Sequence, residues 1–124
     1  MSTVHERRKG EPPLIDSTSD HREWFRAVEK LIPPGPPTDP AVFPLLRHPG
    51  KLQLLLVTAS DLPKEVHTKE QESFLILEGE CICRVGDTDH YLKPGSYFEV
   101  PLNAGHTLHV RSERLVAVMQ RLDV

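Results

Sequence analysis

The sequence lacks an excess of basic charge and any long apolar run, and each absence excludes a class of function. Its 15 Lys and Arg stand against 18 Asp and Glu, which gives the 124-residue chain a formal net charge of −3. Such a chain has no broad positive surface for nucleic acid or an anionic membrane. No apolar stretch reaches the roughly 20 residues of a membrane helix, and the polar start has no apolar signal-peptide centre. We therefore expect a cytoplasmic protein that binds neither nucleic acid nor membranes.

Cysteine is also scarce, since Cys81 and Cys83 are the only two. They lie two apart on a predicted strand, so their side chains share a face with Cα atoms about 6.5 to 7 Å apart, the outer limit for a disulfide. The chain has no second cysteine pair of the kind that completes a structural zinc site. We predict two buried free thiols, which fits a reducing compartment.

Three segments follow from the distribution of turn-forming and apolar residues. Residues 1–18 hold charge and no periodicity, which predicts an extended N-terminal arm. Residues 19–40 contain a helix that begins with the capping-box pair Asp20 and Glu23 and then a proline-rich connector. The apolar stripe of this helix is Trp24, Phe25, Val28, Leu31 and Ile32. We expect the helix to lie on the outside of a β-barrel formed by residues 41–124 or to close one end of it.

The remainder of the chain reads as short strands separated by turns. Gly86 to Asp89, Lys93 to Gly95 and Arg111 to Ser112 are turn signals between apolar runs. Short strands at this spacing predict an all-β fold, an antiparallel sandwich or barrel.

The stretch from Glu65 to Gly79 has the residue types of a metal site. Glu65 and His67 are two apart and share a strand face, whereas Glu72 lies an odd five positions further on. We resolve this by placing residues 68–71 in the turn of a hairpin, so that His67 and Glu72 face the same space. His106 follows a loop of turn residues and provides a further ligand.

These residues resemble the two motifs of the cupin superfamily. The first motif is matched by Glu65-Val66-His67, four residues, Glu72, six residues and Gly79; the second runs from Gly95 through Pro101 to His106. The sequence departs from the pattern where the family's first His is Glu65. The resemblance covers roughly residues 52–124 and implies a jelly-roll barrel with its site inside.

The same resemblance implies a divalent metal held by His67, Glu72 and His106, with Glu65 as a fourth ligand. Two imidazoles with one or two carboxylates suit Fe(II), Mn(II), Zn(II) or Ni(II), and the set of two His and one carboxylate is typical of non-haem iron oxygenases. We therefore expect a metal-dependent, dioxygenase-like oxidoreductase acting on a small polar substrate. The alternatives are a non-catalytic ligand- or metal-sensing module and an isomerase or epimerase.

Several points remain open from the sequence. A metal-free pocket in which Glu72 pairs with His67 or His106 would also satisfy the buried groups. Glu65 could instead orient His67 or act as a catalytic general base. No pair of arginines is predicted to face the pocket as a clamp for a substrate. The runs near Leu52 and Leu115 are apolar on both faces, so one face should meet the N-terminal helix or a second subunit. With the family resemblance, we expect a homodimer.

Overall fold

The computed structural model describes residues 21–123, and these form one short helix and nine strands. The helix α1 spans His21–Glu29. The strands are β1 Ala41–His48, β2 Lys51–Thr58, β3 Leu62–Val66, β4 Glu70–Glu78, β5 Cys81–Val85, β6 Thr88–Leu92, β7 Tyr97–Val100, β8 Gly105–Val110 and β9 Leu115–Asp123. Within these residues no helix is long and apolar enough to cross a membrane. The predicted N-terminal arm and the helix cap Asp20 lie outside the described residues.

The strands form two antiparallel sheets that enclose the core, and the prediction of an all-β antiparallel barrel is confirmed. One sheet has the order β1-β2-β9-β4-β7 and the other the order β3-β8-β5-β6. From β2 onwards the chain changes sheet at every connection except the β5–β6 hairpin. This repeated crossing is the topology of a jelly roll.

The predicted hairpin between His67 and Glu72 is wrong. Strand β3 ends at Val66 and pairs with β8, whereas β4 begins at Glu70 and pairs with β7 and β9. The two strands therefore belong to opposite sheets, and His67 lies in the crossing between them. Because both sheets face one interior, the two side chains still reach the same space.

Apolar residues form two separate clusters, one inside the barrel and one on its outer surface. Alternation along each strand sends successive side chains to opposite faces, so a strand that is apolar throughout contributes to both clusters. The interior cluster includes Leu56, Phe74, Ile76, Cys81, Cys83, Leu108, Leu115, Ala117 and Met119. The outer cluster is Val28, Leu45, Leu55, Val57, Val116 and Val118.

Helix α1 covers the outer face of the five-stranded sheet. Val28 is fully buried against this sheet, and Leu31 and Ile32 pack beside it. The helix ends at Glu29, earlier than the apolar stripe predicts, but the amides of Leu31 and Ile32 still donate to Val28 and Glu29 carbonyls in tight turns. The helix therefore occupies an apolar face that the sequence left open to either a helix or a second subunit.

The connector after the helix is held to the barrel by Arg114 at the start of β9. Its guanidinium donates to the carbonyl oxygens of Pro33 at 2.5 Å and Gly35 at 2.9 Å, and also to Glu78. Next to these Arg114 contacts, Gly79 has a φ of +83°, and any Cβ there would lie 2.1 Å from the Arg114 carbonyl oxygen. Only glycine can make this turn.

Candidate metal site

One interior end of the barrel collects the four residues predicted as metal ligands. Glu65 on β3 is the cross-strand partner of His106 on β8, so their side chains emerge side by side. Glu72 enters from β4 on the facing sheet, and His67 from the crossing between the sheets. One potential ligand atom of each residue lies within 4.8 Å of the others. The structure thus brings together residues separated by 41 positions in sequence, although their role as ligands remains a prediction.

The loop of the second motif fixes the position of His67. The backbone amide of Asn103 donates to the carbonyl oxygen of His67 at 2.8 Å. Asn103 itself has a φ of +64°, a left-handed conformation that asparagine adopts more readily than most residues. Loop residues 101–104 therefore position His67 as well as leading into His106.

Glu72 is the centre of the contacts in this cluster. Its Oε1 lies 3.0 Å from His106 Nε2, and its Oε2 lies 3.2 Å from His67 Nε2. The second imidazole contact is shared, because His67 Nε2 is also 3.2 Å from Glu65 Oε2. Glu72 is only 1% exposed and Glu65 is 48% exposed, so one carboxylate lies inside the barrel and the other at its mouth.

A fifth residue, Arg121 on β9, belongs to the same cluster. Its Nε donates to Glu72 Oε2 at 2.8 Å, and its Nη2 lies 3.8 Å from Glu65 Oε2. Glu72 and Arg121 are direct cross-strand partners. A single arginine therefore faces the pocket, a residue that the sequence did not single out.

The signal for Arg121 was present in the sequence but was hidden. Leu115, Ala117 and Met119 all point into the barrel, and the same alternation continues to position 121. The intervening Val116 and Val118 are equally apolar because they meet the outer cluster. Without a polar face on β9, the sequence alone does not reveal which side Arg121 takes.

These contacts determine the charge of Glu72. Burial raises the pKa of a carboxyl group, but hydrogen bonds from His106 and Arg121 and the nearby positive charge outweigh it, so the Glu72 pKa lies below its ordinary 4.5. Glu72 is therefore an ionised carboxylate at neutral pH. An ionised carboxylate is the form that binds metal.

The residues present fit a divalent metal in ligand type, number and spacing. Two imidazole nitrogens and two carboxylates converge, and the separations of their ligand atoms suit a common ion. Each Glu72 oxygen contacts one imidazole, Oε1 that of His106 and Oε2 that of His67, and Oε2 also accepts the Arg121 hydrogen bond. His67, Glu72, His106 and Glu65 are the residues that would hold the ion.

Two observations favour a metal-free cluster over a metal-bound one. The Arg121 guanidinium already compensates the Glu72 charge. In addition, His106 Nδ1 is buried with no hydrogen-bond partner among residues 21–123. Metal-binding histidines usually donate this second ring N–H to a neighbouring acceptor.

A cavity of about 210 Å³ opens beside the cluster. The charged cluster occupies one end through Glu65, Glu72, His106 and Arg121. Most of the remaining wall is apolar, with Leu54, Leu56, Leu62, Phe74, Leu108 and Met119 among its residues. A polar substrate would find few hydrogen-bond partners along this apolar wall.

Two other features lie outside the cluster, and the second confirms the predicted buried free thiols. His109 points away from the cluster and contacts Asp61 at 3.2 Å and Thr107 at 3.0 Å on the outer surface. Cys81 and Cys83 are free and buried. Burial raises the pKa of Cys81 to about 11, and burial together with nearby Cys81 and Glu72 raises that of Cys83 to about 12.

Comparisons with known proteins agree with this architecture. A Thermus thermophilus protein is 22% identical, with a TM-score of 0.67 over 77% of this chain and 93% of that one. A cupin superfamily protein of Desulfitobacterium hafniense is 20% identical, with a TM-score of 0.67 over 77% of this chain and 86% of that one. A Thermotoga maritima protein described as a predicted oxalate decarboxylase is 17% identical, with a TM-score of 0.64 over 68% of this chain and 81% of that one.

At these identities the similarity shows the fold alone. No curated protein matches the sequence significantly. The family model described as Cupin domain, however, matches residues 52–124, more than half of the chain and the part that contains all five clustered residues. The chain belongs to the cupin family.

Proposed function

We propose that this protein is a metal-dependent oxidoreductase with dioxygenase-like chemistry, acting on a small molecule held in the barrel. The observation that carries the proposal is the convergence of two imidazole nitrogens and two carboxylates within 4.8 Å at one end of an interior cavity. A bound divalent ion supplies Lewis acidity, and iron also supplies the redox chemistry that O₂ requires.

The two carboxylates have different roles in this proposal. Glu72 is buried and ionised, and it would offer the ion a carboxylate oxygen while its Oε2 accepts the Arg121 hydrogen bond. Together with His67 and His106 it makes the set of two His and one carboxylate found in non-haem iron oxygenases. Glu65 lies at the mouth, beside both His67 and the cavity. It is a fourth ligand or the general base that takes a proton from the substrate.

Oxygen consumption tests this function. Protein loaded with Fe(II) is screened in an oxygen electrode against a panel of small carboxylates and phenols, with Zn(II)-loaded protein as the redox-inactive control. The proposal expects uptake that needs iron and is lost in His67→Ala but kept in His109→Ala, which alters a histidine on the outer surface. No uptake with any compound, or equal uptake in His67→Ala, would contradict it.

The second candidate is a non-catalytic binding module that works without metal. It is favoured by the Arg121 contact with Glu72 and by the unpartnered Nδ1 of His106. An isomerase or epimerase acting on a sugar is less well supported, because the apolar wall of the cavity would leave sugar hydroxyls without partners. Metal content and oxygen uptake separate these alternatives.

A further inference from the structure

The cavity is lined by charged residues and by apolar residues, and together these indicate the kind of ligand that it binds. One end carries the charged cluster, while the wall around it is formed by buried side chains of both sheets, among them Leu56, Phe74, Leu108 and Met119. A ligand that fills this space needs a polar head and an apolar body. A molecule with hydroxyl groups along its length would lose hydrogen bonds to water without replacement.

Arg121 is the group that would bind the head. A guanidinium has five N–H donors. In the described part of the chain only the Nε donor makes a hydrogen bond, to Glu72, and Nη2 has just the longer 3.8 Å approach to Glu65. The terminal nitrogens of a side chain that lines the cavity and is only 26% exposed are thus available to an acceptor. Paired N–H donors of arginine match the two oxygens of a carboxylate.

The charge of the cluster sets the charge of the ligand, and this step rests on the proposed metal site. Two carboxylates and one guanidinium give a formal charge of −1, and imidazoles bound to a metal ion add no charge. A divalent ion brings the total to +1. A monoanion then neutralises the group, whereas in the metal-free protein Glu65 and Glu72 would repel it.

We infer that the cavity takes a small monocarboxylate with an apolar body, whose carboxylate accepts hydrogen bonds from the terminal N–H groups of Arg121. The body lies against Leu54, Leu56, Phe74, Leu108 and Met119. The inferred ligand differs from the expected small polar substrate in having an apolar body. Arg121 is therefore assigned as the residue that determines specificity.

Calorimetric titration of Mn(II)-loaded protein with acetate, butanoate and hexanoate tests the inference. Each added methylene is expected to raise affinity about four-fold, the value for burying one CH₂, until the cavity is filled. Gluconate has the carboxylate and a hydroxylated body, so it should bind more weakly than hexanoate. Hexan-1-ol has the body without the charge and should bind more weakly too.

Two variants test the head contact and the body contact of the ligand separately. Arg121→Met should lower hexanoate affinity by about 10- to 100-fold, the range for charge-assisted hydrogen bonds, and Arg121→Lys should restore only part of it. Leu54→Ala leaves the charged cluster intact and should reduce the gain per methylene while acetate binding is unchanged. Arg111→Met, an exposed arginine outside the cavity, is the matched control.

Metal content is measured on every sample, so that two failures are distinguished. A wild-type protein that takes up no metal contradicts the proposed function. Gluconate binding as tightly as hexanoate, hexanoate affinity unchanged in Arg121→Met at equal metal content, or no binding of any carboxylate overturns the present inference. If Arg121→Met does not fold, a gain per methylene that is unaltered in Leu54→Ala overturns it.

Discussion

Among residues 21–123, Arg121 is the one arginine or lysine that contacts the nearly inaccessible Glu72 carboxylate, and methionine removes it. Glu72 is 1% exposed and accepts the Arg121 Nε hydrogen bond at 2.8 Å, whereas Arg121 is 26% exposed. Methionine keeps much of the apolar length of the side chain but not its charge. The variant therefore leaves an ionised carboxylate inside the barrel with only His67 and His106 beside it.

Breaking a buried ion pair by removing one partner lowers the free energy of unfolding by about 3 to 5 kcal/mol. We expect the lower end, about 3 kcal/mol, because Arg121 is partly exposed and Glu72 keeps its imidazole contacts. For a domain of this size that corresponds to a fall in Tm of about 10 °C. Arg111→Met, on the exposed surface, should change stability by no more than about 0.5 kcal/mol.

A double-mutant cycle isolates the interaction from other effects of the substitution. Urea unfolding is measured in the presence of a chelator for the wild type, Arg121→Met, Glu72→Gln and the double variant. Because Glu72→Gln removes the charge that Arg121 compensates, the double variant should be more stable than additivity predicts by about 2 kcal/mol. Strictly additive changes would refute the account of Arg121 as the partner of Glu72.

The same pair predicts a pH dependence with a definite sign. The Glu72 pKa lies below its ordinary 4.5 in the folded state, so its contribution is fully present above that pH and is lost as pH falls through the lower folded pKa. The stability difference between wild type and Arg121→Met should be largest above pH 4.5 and shrink on acidification. A difference that is constant from neutral to acidic pH would contradict this.

Three further predictions follow from other parts of the structure. Cys81 and Cys83, buried thiols with raised pKa values, should resist alkylation at pH 8 until the protein is unfolded; rapid reaction of native protein would show that they are accessible. Gly79→Ala should lower the free energy of unfolding by about 3 kcal/mol, because the position has a positive φ and its Cβ would meet the Arg114 carbonyl. Gly86→Ala has a positive φ but open space around the Cβ, so it should lower that free energy by only about 1 kcal/mol. Equal losses in urea unfolding would contradict the steric argument. Light scattering at micromolar concentration should give about twice the 14.0 kDa chain mass, and a monodisperse monomer would rule out the proposed homodimer.

Local sequence signals predicted the elements of this fold well. Turn residues and apolar runs located the strands from Lys51 onward to within a few residues, and the wholly apolar strands indicated packing on two faces. Strand β1 contains Pro44, and its register with β2 shifts between Pro44 and Leu46. Proline is tolerated there because β1 is an edge strand.

What the sequence could not reveal was which strands pair. A short polar segment such as residues 67–69 fits both a hairpin turn and a crossing between sheets, because its residue types depend on solvent exposure and not on the partner of the next strand. The four residues singled out by the motif spacing, Glu65, His67, Glu72 and His106, do converge within 4.8 Å, and their role as metal ligands stays a prediction. Arg121 was missed for the related reason that β9 is apolar on both faces, so its inward side could be assigned only once its pairing with β4 was known.

The central claim is that this end of the barrel binds a divalent metal, and metal content tests it most directly. Untagged protein purified without chelator is analysed by elemental mass spectrometry beside the His67→Ala, His106→Ala double variant and the His109→Ala control. The account predicts stoichiometric iron, manganese, nickel or zinc in the wild type and in His109→Ala, and its loss in the double variant. Substoichiometric metal that is the same in all three proteins would contradict the claim and favour the metal-free binding module.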